Sequence, residues 1–404
     1  RETLILELFR GPTAAFKDMA LQILPYLLTA SAGKNGVEDR ILILVATSGD
    51  TGKAALEGFA DVEGTAVFVF YPADGVSPTQ KLQMITQRGG NVGVAGVRGN
   101  FDDAQTGVKK IFGDEGFAAL LKEKKVRLSS ANSINWGRLV PQVVYYVSAY
   151  LDAVKLGTVA PGERLDTVVP TGNFGNILAA YIAKKMGVPL GKLISASNRN
   201  NVLADFIGTG AYDKNRPFYT TSSPAMDILI SSNVERLLWF LADGDAAATA
   251  EKMRKLAESG RYVLSEKEKK ALAADFLGGW AGEEESLAAL GRVWREKGYL
   301  PDTHTAVALA VLEKLRREGK ETGKTLVAAT ASPYKFSSSV LFALNGERRE
   351  DGDPSEELHR LTGIPVPMPL RDLDKREIRF GGTVSKEEMR VPVLALAEGG
   401  AEAK

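Results

Sequence analysis

Mostly apolar residues fall into short runs at 4–9, 41–45, 66–70, 91–95, 166–169, 193–196 and 325–329, of which 41–45 and 66–70 are unbroken. Short apolar runs bounded by turn formers read as strands buried on both faces. Between them lie stretches of helical composition, from 14 onward and at 51–60, 78–88, 101–112, 136–156, 175–186 and 303–317. Strands that alternate with helices predict an α/β fold of open, twisted, largely parallel sheets with flanking helices. After about residue 225 the pattern turns mostly helical, at 233–241, 246–258, 266–276 and 283–297. Charge and proline increase from residue 347. The expected domains are a smaller α/β unit over 17–150, a larger one over 151–345 joined by 1–16, and a C-terminal extension over 346–404.

One helix start carries unusual chemistry. The first apolar run ends in Arg10-Gly11-Pro12-Thr13, a turn in which Thr13 is placed to cap a helix. Lys17 is then expected in the first helical turn, behind Phe16. The helix dipole disfavours a cation there, which favours the neutral amine, the form that attacks a carbonyl. Taken alone, Lys17 reads more simply as a solvated lysine.

In parallel sheets, ligands bind where strand ends meet helix starts. The run 41–45 leads into Ala46-Thr47-Ser48-Gly49-Asp50-Thr51-Gly52, whose hydroxyls, glycines and backbone N–H groups suit a carboxylate or phosphate. A tight capped turn explains it as well. The run 166–169 leads into Pro170-Thr171-Gly172-Asn173-Phe174-Gly175-Asn176, where glycines let the backbone approach an anion. It is not a Walker motif, because no Gly-Lys-Ser/Thr follows. Ser129-Ser130-Ala131-Asn132-Ser133-Ile134-Asn135-Trp136-Gly137-Arg138 sets amides, hydroxyls and an arginine ahead of a long helix. Such a group suits a phosphate ester, although by itself it reads as an N-cap with a surface arginine.

Composition narrows the field. The 404 residues are 44% hydrophobic and 25% charged, with net charge +1, which gives no reason to invoke nucleic acid or an anionic membrane as partner. No apolar run approaches the ~20 residues of a membrane span. The absence of cysteine excludes disulfides and thiolate metal sites and fits a cytoplasmic protein. His304 and His359 are the only histidines, so no metal is expected. The chain starts abruptly on a strand, from which further N-terminal sequence is expected.

The motifs together carry a resemblance. Gly-Pro-Thr-Ala-Ala-Phe-Lys-Asp at 11–18, Ala-Thr-Ser-Gly-Asp-Thr-Gly at 46–52, Asn-Ser-Ile-Asn at 132–135 and Gly-Asn-Phe-Gly-Asn at 172–176 stand in the same order as in threonine synthases. Thr-Thr-Ser-Ser-Pro-Ala-Met-Asp at 220–227, Asp-Thr-His-Thr-Ala at 302–306 and Ala-Thr-Ala-Ser-Pro at 329–333 extend the match. Threonine synthases are fold type II enzymes dependent on pyridoxal 5'-phosphate (PLP), with a tryptophan synthase β-like architecture. The chain resembles the branch that carries Asp in the Ser-Gly-Asp-Thr loop.

The resemblance implies PLP as cofactor and a lyase reaction, in which O-phospho-L-homoserine and water give L-threonine and phosphate by γ-elimination and β-addition of water. It makes Lys17 the covalent anchor and the acid–base group. Gly172, Asn173, Phe174, Gly175 and Asn176 would hold the cofactor phosphate, Asp50 would lie near the pyridine 3-hydroxyl, and Thr330 would meet the pyridine nitrogen. Thr47, Ser48 and Thr51 would receive the substrate carboxylate, and Asn132, Ser133 and Arg138 its phosphate. A monomer or homodimer is expected. Lys53 reads as solvated, and His304 as a structural hydrogen-bonder.

Some positions depart from the family pattern. Ala14-Ala15 replaces Leu-Ala, Arg10 replaces His or Asn, Ser332-Pro333-Tyr334-Lys335 replaces small residues, and the family's segment ahead of the lysine motif is lacking. Two alternatives remain: another fold type II lyase of the threonine dehydratase kind, and a non-catalytic ligand-binding relative. The set Asn132, Ser133 and Arg138 argues against the first. Intact Lys17, Asp50 and Thr330 argue against the second.

Overall fold

The computed structural model describes residues 2–320, 323–346 and 353–399. Its strands are Thr3–Glu7 (β1), Arg40–Ala46 (β2), Thr65–Pro72 (β3), Val92–Val97 (β4), Val126–Ser129 (β5), Leu165–Pro170 (β6), Leu190–Ser197 (β7), Ala211–Asp213 (β8), Arg261–Val263 (β9), Phe276–Trp280 (β10), Thr325–Ala329 (β11) and Thr383–Val384 (β12). They form two five-stranded sheets, in the orders β1-β11-β6-β7-β10 and β12-β4-β3-β2-β5, and a β8-β9 ribbon. Both larger sheets are parallel throughout, and the ribbon is antiparallel. The α/β architecture expected from the strand–helix alternation is therefore present in each sheet. Among the described residues no helix is long and apolar enough to cross a membrane.

The unbroken apolar runs follow from burial on both faces. Side chains alternate across a strand, so β2 and β3 divide between two cores. Ile41, Ile43, Val45, Val67 and Val69 pack with Leu21, Leu24, Leu56 and Phe59. Leu42, Leu44, Phe68 and Phe70 pack on the other face with Val108, Ile111, Met389, Val393 and Leu396. In the other sheet, Val168, Ile194 and Val327 lie against Val307, Val311, Leu312 and Leu315 of the helix Thr303–Arg317.

The chain groups into two compact units, Arg1–Leu8 with Gln142–Ile364, and Phe9–Pro141 with Pro365–Lys404. These limits differ from those read from the sequence, for local reasons. A boundary at 150/151 would cut the helix Val143–Lys155. The chain passes between units instead at Pro141, inside the 3-10 turn Val140–Gln142. The same proline overturns the expected continuous helix over 136–156. The helix Trp136–Leu139 stops, a 3-10 turn follows, and Val143–Lys155 starts anew, because proline lacks an N–H and clashes with the preceding turn. Of the joining segment 1–16, only the part through Leu8 belongs to the 142–364 unit.

Part of the C-terminal extension joins the β2–β4 sheet and its core. β12 adds an edge strand to β4, and the helix Arg390–Ala397 buries Val393 and Leu396. Residues 347–352 and 400–404 of the expected extension lie outside the described residues.

β10 is a strand that the sequence pattern concealed, since the expected helix over 266–276 ends at Asp275 and the strand begins at Phe276. Its Gly278 and Gly279 weaken any strand signal. Packing requires them: a Cβ on Gly278 would stand 2.7 Å from the Ala204 carbonyl oxygen, and one on Gly279 would stand 2.5 Å from Val311.

Candidate active site

The stretch around Lys17 is a tight knot rather than a simple capped turn. Asp18 accepts hydrogen bonds from the Thr13 N–H at 2.9 Å and from the Thr13 hydroxyl, so Thr13 is spent on Asp18 and does not cap the helix. Ala14 takes a left-handed conformation, φ 58°, and a Cβ on Gly11 would stand 2.4 Å from the Asp18 carboxylate. The helix Asp18–Lys34 begins one residue after Lys17, which is its N-cap residue with φ −70° and ψ −17°. Lys17 thus sits just ahead of the first turn instead of within it.

Lys17 Nζ lies 3.5 Å from Asp50 Oδ2 and 5.0 Å from the Phe16 ring centroid. Asp50 opens the helix Asp50–Phe59 at the C-terminal end of β2, where a carboxylate is favoured by the helix dipole. Its other oxygen, Oδ1, accepts from Gln80 Nε2 at 2.9 Å. Gln80 is itself oriented, because its Oε1 accepts from the Ser77 N–H at 3.2 Å in a capping box on the helix Pro78–Ile85. Gly49, φ 132°, is required here, since its Cβ would meet the Gln80 amide at 2.4 Å. Gln80 was not anticipated as a site residue. Ser77-Pro78-Thr79-Gln80 is legible as a capping box, but the box does not reveal that the same amide reaches Asp50.

The rest of the 47–53 loop is also ordered from within. Thr47 Oγ1 accepts from the N–H groups of Gly49 and Gly52 at 3.0 and 2.9 Å. That leaves the hydroxyl proton to donate. Ser48 and Thr51 are half-buried beside it. Lys53 is not the solvated lysine expected: it is 7% exposed and donates to Glu57 at 2.8 Å and to Gln87.

In the 129–138 stretch, the Asn135 side chain caps the short helix Trp136–Leu139. Arg138 is not at the surface. It is 3% exposed, and its Nη1 donates to the Ala131 carbonyl at 2.8 Å. Asn132 is exposed, and the hydroxyl of half-buried Ser133 lies 3.4 Å from its Oδ1. Lys17, Asp50, Thr47, Ser48, Thr51, Asn132, Ser133 and Arg138 all belong to the 9–141 unit.

The 142–364 unit holds the glycine-rich loop and Thr330. β6 and β11 are parallel neighbours, so Thr171 and Thr330 leave the same end of one sheet. The loop carbonyls are turned into the protein. Gly172 O accepts from Ser231 Oγ at 2.7 Å, and Asn173 O accepts from the Asn233 N–H and Nδ2 at 3.1 and 2.9 Å. Among the described residues, no hydrogen bond takes up the backbone N–H groups of residues 172–177. Phe174 is left-handed at φ 61° and buried, and the helix Gly175–Lys185 starts behind it. Within that first turn, Asn176 Oδ1 accepts from the Tyr146 hydroxyl. Burial pushes the Tyr146 phenol well up, helped by neighbouring Tyr145, so it stays a donor. The Asn176 amide is thereby oriented, and its Nδ2 is buried with no partner. Unbonded N–H groups plus an orphaned amide donor at a helix N-terminus fit a bound phosphate. Thr330, 6% exposed, forms no hydrogen bond among the described residues.

Comparison with known proteins agrees with these features. Residues 4–331 match the pyridoxal-phosphate dependent enzyme family, and residues 305–389 match the threonine synthase C-terminal family. Threonine synthase-like 1 of Homo sapiens is 44% identical over 97% of this chain, and the chain spans 52% of that protein, about half the length of such relatives. Threonine synthase of Pseudomonas aeruginosa is 40% identical over 93% of the chain and 74% of its own length. The crystal structure of PLP-bound threonine synthase from Brucella melitensis superposes with a TM-score of 0.85 at 38% identity, covering 99% of this chain and 79% of that one. This chain has the fold type II architecture, and the cofactor of its family is PLP. With its lysine motif, its phosphate-fitting loop and these matches along nearly its whole length, the chain belongs to the threonine synthase family of pyridoxal-phosphate-dependent enzymes.

Proposed function

We propose that this chain is a threonine synthase, converting O-phospho-L-homoserine and water to L-threonine and phosphate. The observation that carries the reading is Lys17, an amine held beside a carboxylate that Gln80 orients, in a chain 40% identical to a threonine synthase. Lys17 would hold the aldehyde carbon of PLP. The N–H groups of 172–177 and Asn176 Nδ2 would hold its phosphate. Asp50 would face the 3-hydroxyl, and the Thr330 hydroxyl the pyridine nitrogen. Bound PLP supplies an electron sink for charge that develops on the amino-acid carbons.

The protein's own work is binding, orientation and proton transfer. The hydroxyl proton of Thr47 and the hydroxyls of Ser48 and Thr51 would bind the substrate carboxylate. Lys17, freed when substrate takes its place, would remove protons at Cα and Cβ, deliver one to Cγ once phosphate has left and return one to Cα, as a positioned general base and acid. Asn132, Ser133 and Arg138 would hold the phosphate that leaves Cγ, and the guanidinium would offset its charge. Water then adds its hydroxyl at Cβ, and its proton goes to the released phosphate. We propose a cytoplasmic monomer or homodimer acting on this small molecule.

The second reading is a related PLP lyase, or a ligand-binding relative without turnover. It is favoured by the 44% identity to proteins described only as threonine synthase-like, twice the length of this chain. The test is incubation with PLP and O-phosphohomoserine, assayed for phosphate and threonine together. Equal amounts of both are expected. Phosphate with a keto acid in place of threonine would favour the other lyase, and neither product would favour the ligand-binding relative. Borohydride should fix PLP to the peptide carrying Lys17; fixation at Lys53 would refute the site.

A further inference from the structure

The glycine-rich loop is held from below by a segment with no role in the reaction described so far. An ideal Cβ on Gly172 would stand 2.3 Å from the Ala225 carbonyl oxygen. The Ala225 backbone therefore occupies the space of a side chain and limits how far the loop can retreat. Ala225 lies in the 3-10 turn Pro224–Met226, and a buried imidazole fixes it: the Ala225 N–H donates to His304 Nε2 at 3.2 Å.

That bond dictates the state of the ring. Nε2 accepts only when it carries no proton, so the proton is on Nδ1, which donates to Asp302 Oδ1 at 3.0 Å. Asp302, 1% exposed, is tied down in turn as the N-cap of the helix Thr303–Arg317, accepting from the His304 N–H at 2.8 Å and from Thr305. Phe336 packs on the imidazole, with 4.9 Å between ring centroids. An aspartate, a histidine and one backbone amide thus form a chain from a helix cap to the underside of Gly172.

We propose that His304 is a positioning residue for the phosphate loop. With Nδ1 donating to Asp302 and Nε2 accepting from Ala225, it fixes Ala225 against Gly172 and so sets the spacing of the unbonded N–H groups of 172–177. The proposal rests on reading that loop as the cofactor phosphate site. Ser231 and Asn233 hold the loop by its carbonyls; Ala225 supplies a further support, in a turn closed by Met226 N–H to Ser223 O at 3.0 Å and Asp227 N–H to Pro224 O at 3.2 Å, with His304 as the acceptor for its own N–H.

The test compares His304→Phe, which keeps a ring against Phe336 but removes both nitrogens, with His304→Gln, whose carbonyl oxygen replaces the Nε2 acceptor. Amide hydrogen exchange is measured on the full chain with and without PLP, and PLP affinity is measured by absorbance titration. In His304→Phe, exchange should rise at Ala225 and at 172–177 but not in β2, and PLP affinity should fall about tenfold, the effect of one lost hydrogen bond. His304→Gln should restore both. If His304→Phe does not fold, His304→Asn serves, since it keeps a donor for Asp302 without reaching Ala225. Unchanged exchange at 172–177, or a Gln variant as impaired as Phe, would overturn the proposal. If wild type binds no PLP while His304→Phe still raises exchange at 172–177, the mechanical link stands and the phosphate reading is refuted instead.

Discussion

At the scale of single residues, two cations are buried with partners that their own neighbourhood in the sequence does not announce. Lys53 reads as solvated because nothing nearby in sequence shows Gln87 across the fold. Arg138 reads as a surface cation, yet it is buried against the Ala131 carbonyl. That burial sharpens the substrate prediction. Arg138→Leu should reduce kcat/KM for O-phosphohomoserine by an amount equivalent to about 2–5 kcal/mol, the cost of truncating one partner of a buried charge pair. The PLP absorption spectrum should persist, as should binding of an amino acid lacking phosphate. Titrating both ligands into wild type and variant decides: equal losses for both would reduce Arg138 to a support of the 131–138 turn.

At the scale of elements, packing dictates features that propensity opposes. Gly278→Ala should destabilise the 142–364 unit by about 1–3 kcal/mol, as overpacking does, because the new methyl meets the Ala204 backbone. Gly208→Ala, in a helix where nothing lies within 4 Å of the added Cβ, should be neutral or slightly stabilising. Chemical denaturation compares the two, and equal midpoints would contradict the geometry. A second element carries a pH dependence. Burial works to raise the Glu268 carboxyl, but the hydrogen bond from Lys252 and those from Ser265 outweigh it and leave the group below its ordinary value. Lys252 Nζ stands 2.7 Å from Glu268. A carboxyl depressed on folding contributes stability above its unfolded value of about 4.3, and that contribution is lost as pH falls through the folded value. Thermal midpoints should therefore fall more steeply below about pH 4.3 in wild type than in Glu268→Gln, and parallel curves would refute the assignment.

At the scale of the whole molecule, each sheet needs residues far away in sequence. The unit with the Lys17 knot is completed by residues from beyond 365, whose Met389, Val393 and Leu396 fill the face of β3 opposite Val67 and Val69. Deleting residues 365–404 should cost about 2–5 kcal/mol for each large side chain withdrawn, comparable in sum with the whole stability of a domain. Hydrogen exchange should then show β2–β4 unprotected while β6 and β7 remain protected. Retained protection in β2–β4 would show that the C-terminal residues add nothing to that core.

The sequence by itself determined the alternation of strands and helices, the parallel α/β class, the lysine motif and the loops that follow β2 and β6. Each is written in adjacent residues: doubly buried strands are largely apolar runs, and the turns from strand to helix are rich in glycine and hydroxyls. Only the tertiary structure decided which amide steadies Asp50, what lies beneath Gly172, that β10 is a strand and where the C-terminal residues pack. Asp50 and Gln80 are 30 residues apart, and Ala225 and His304 are 79 apart. A hydrogen bond over such a separation leaves no periodicity or local motif, because its partners are brought together only by the tertiary packing of their own unit.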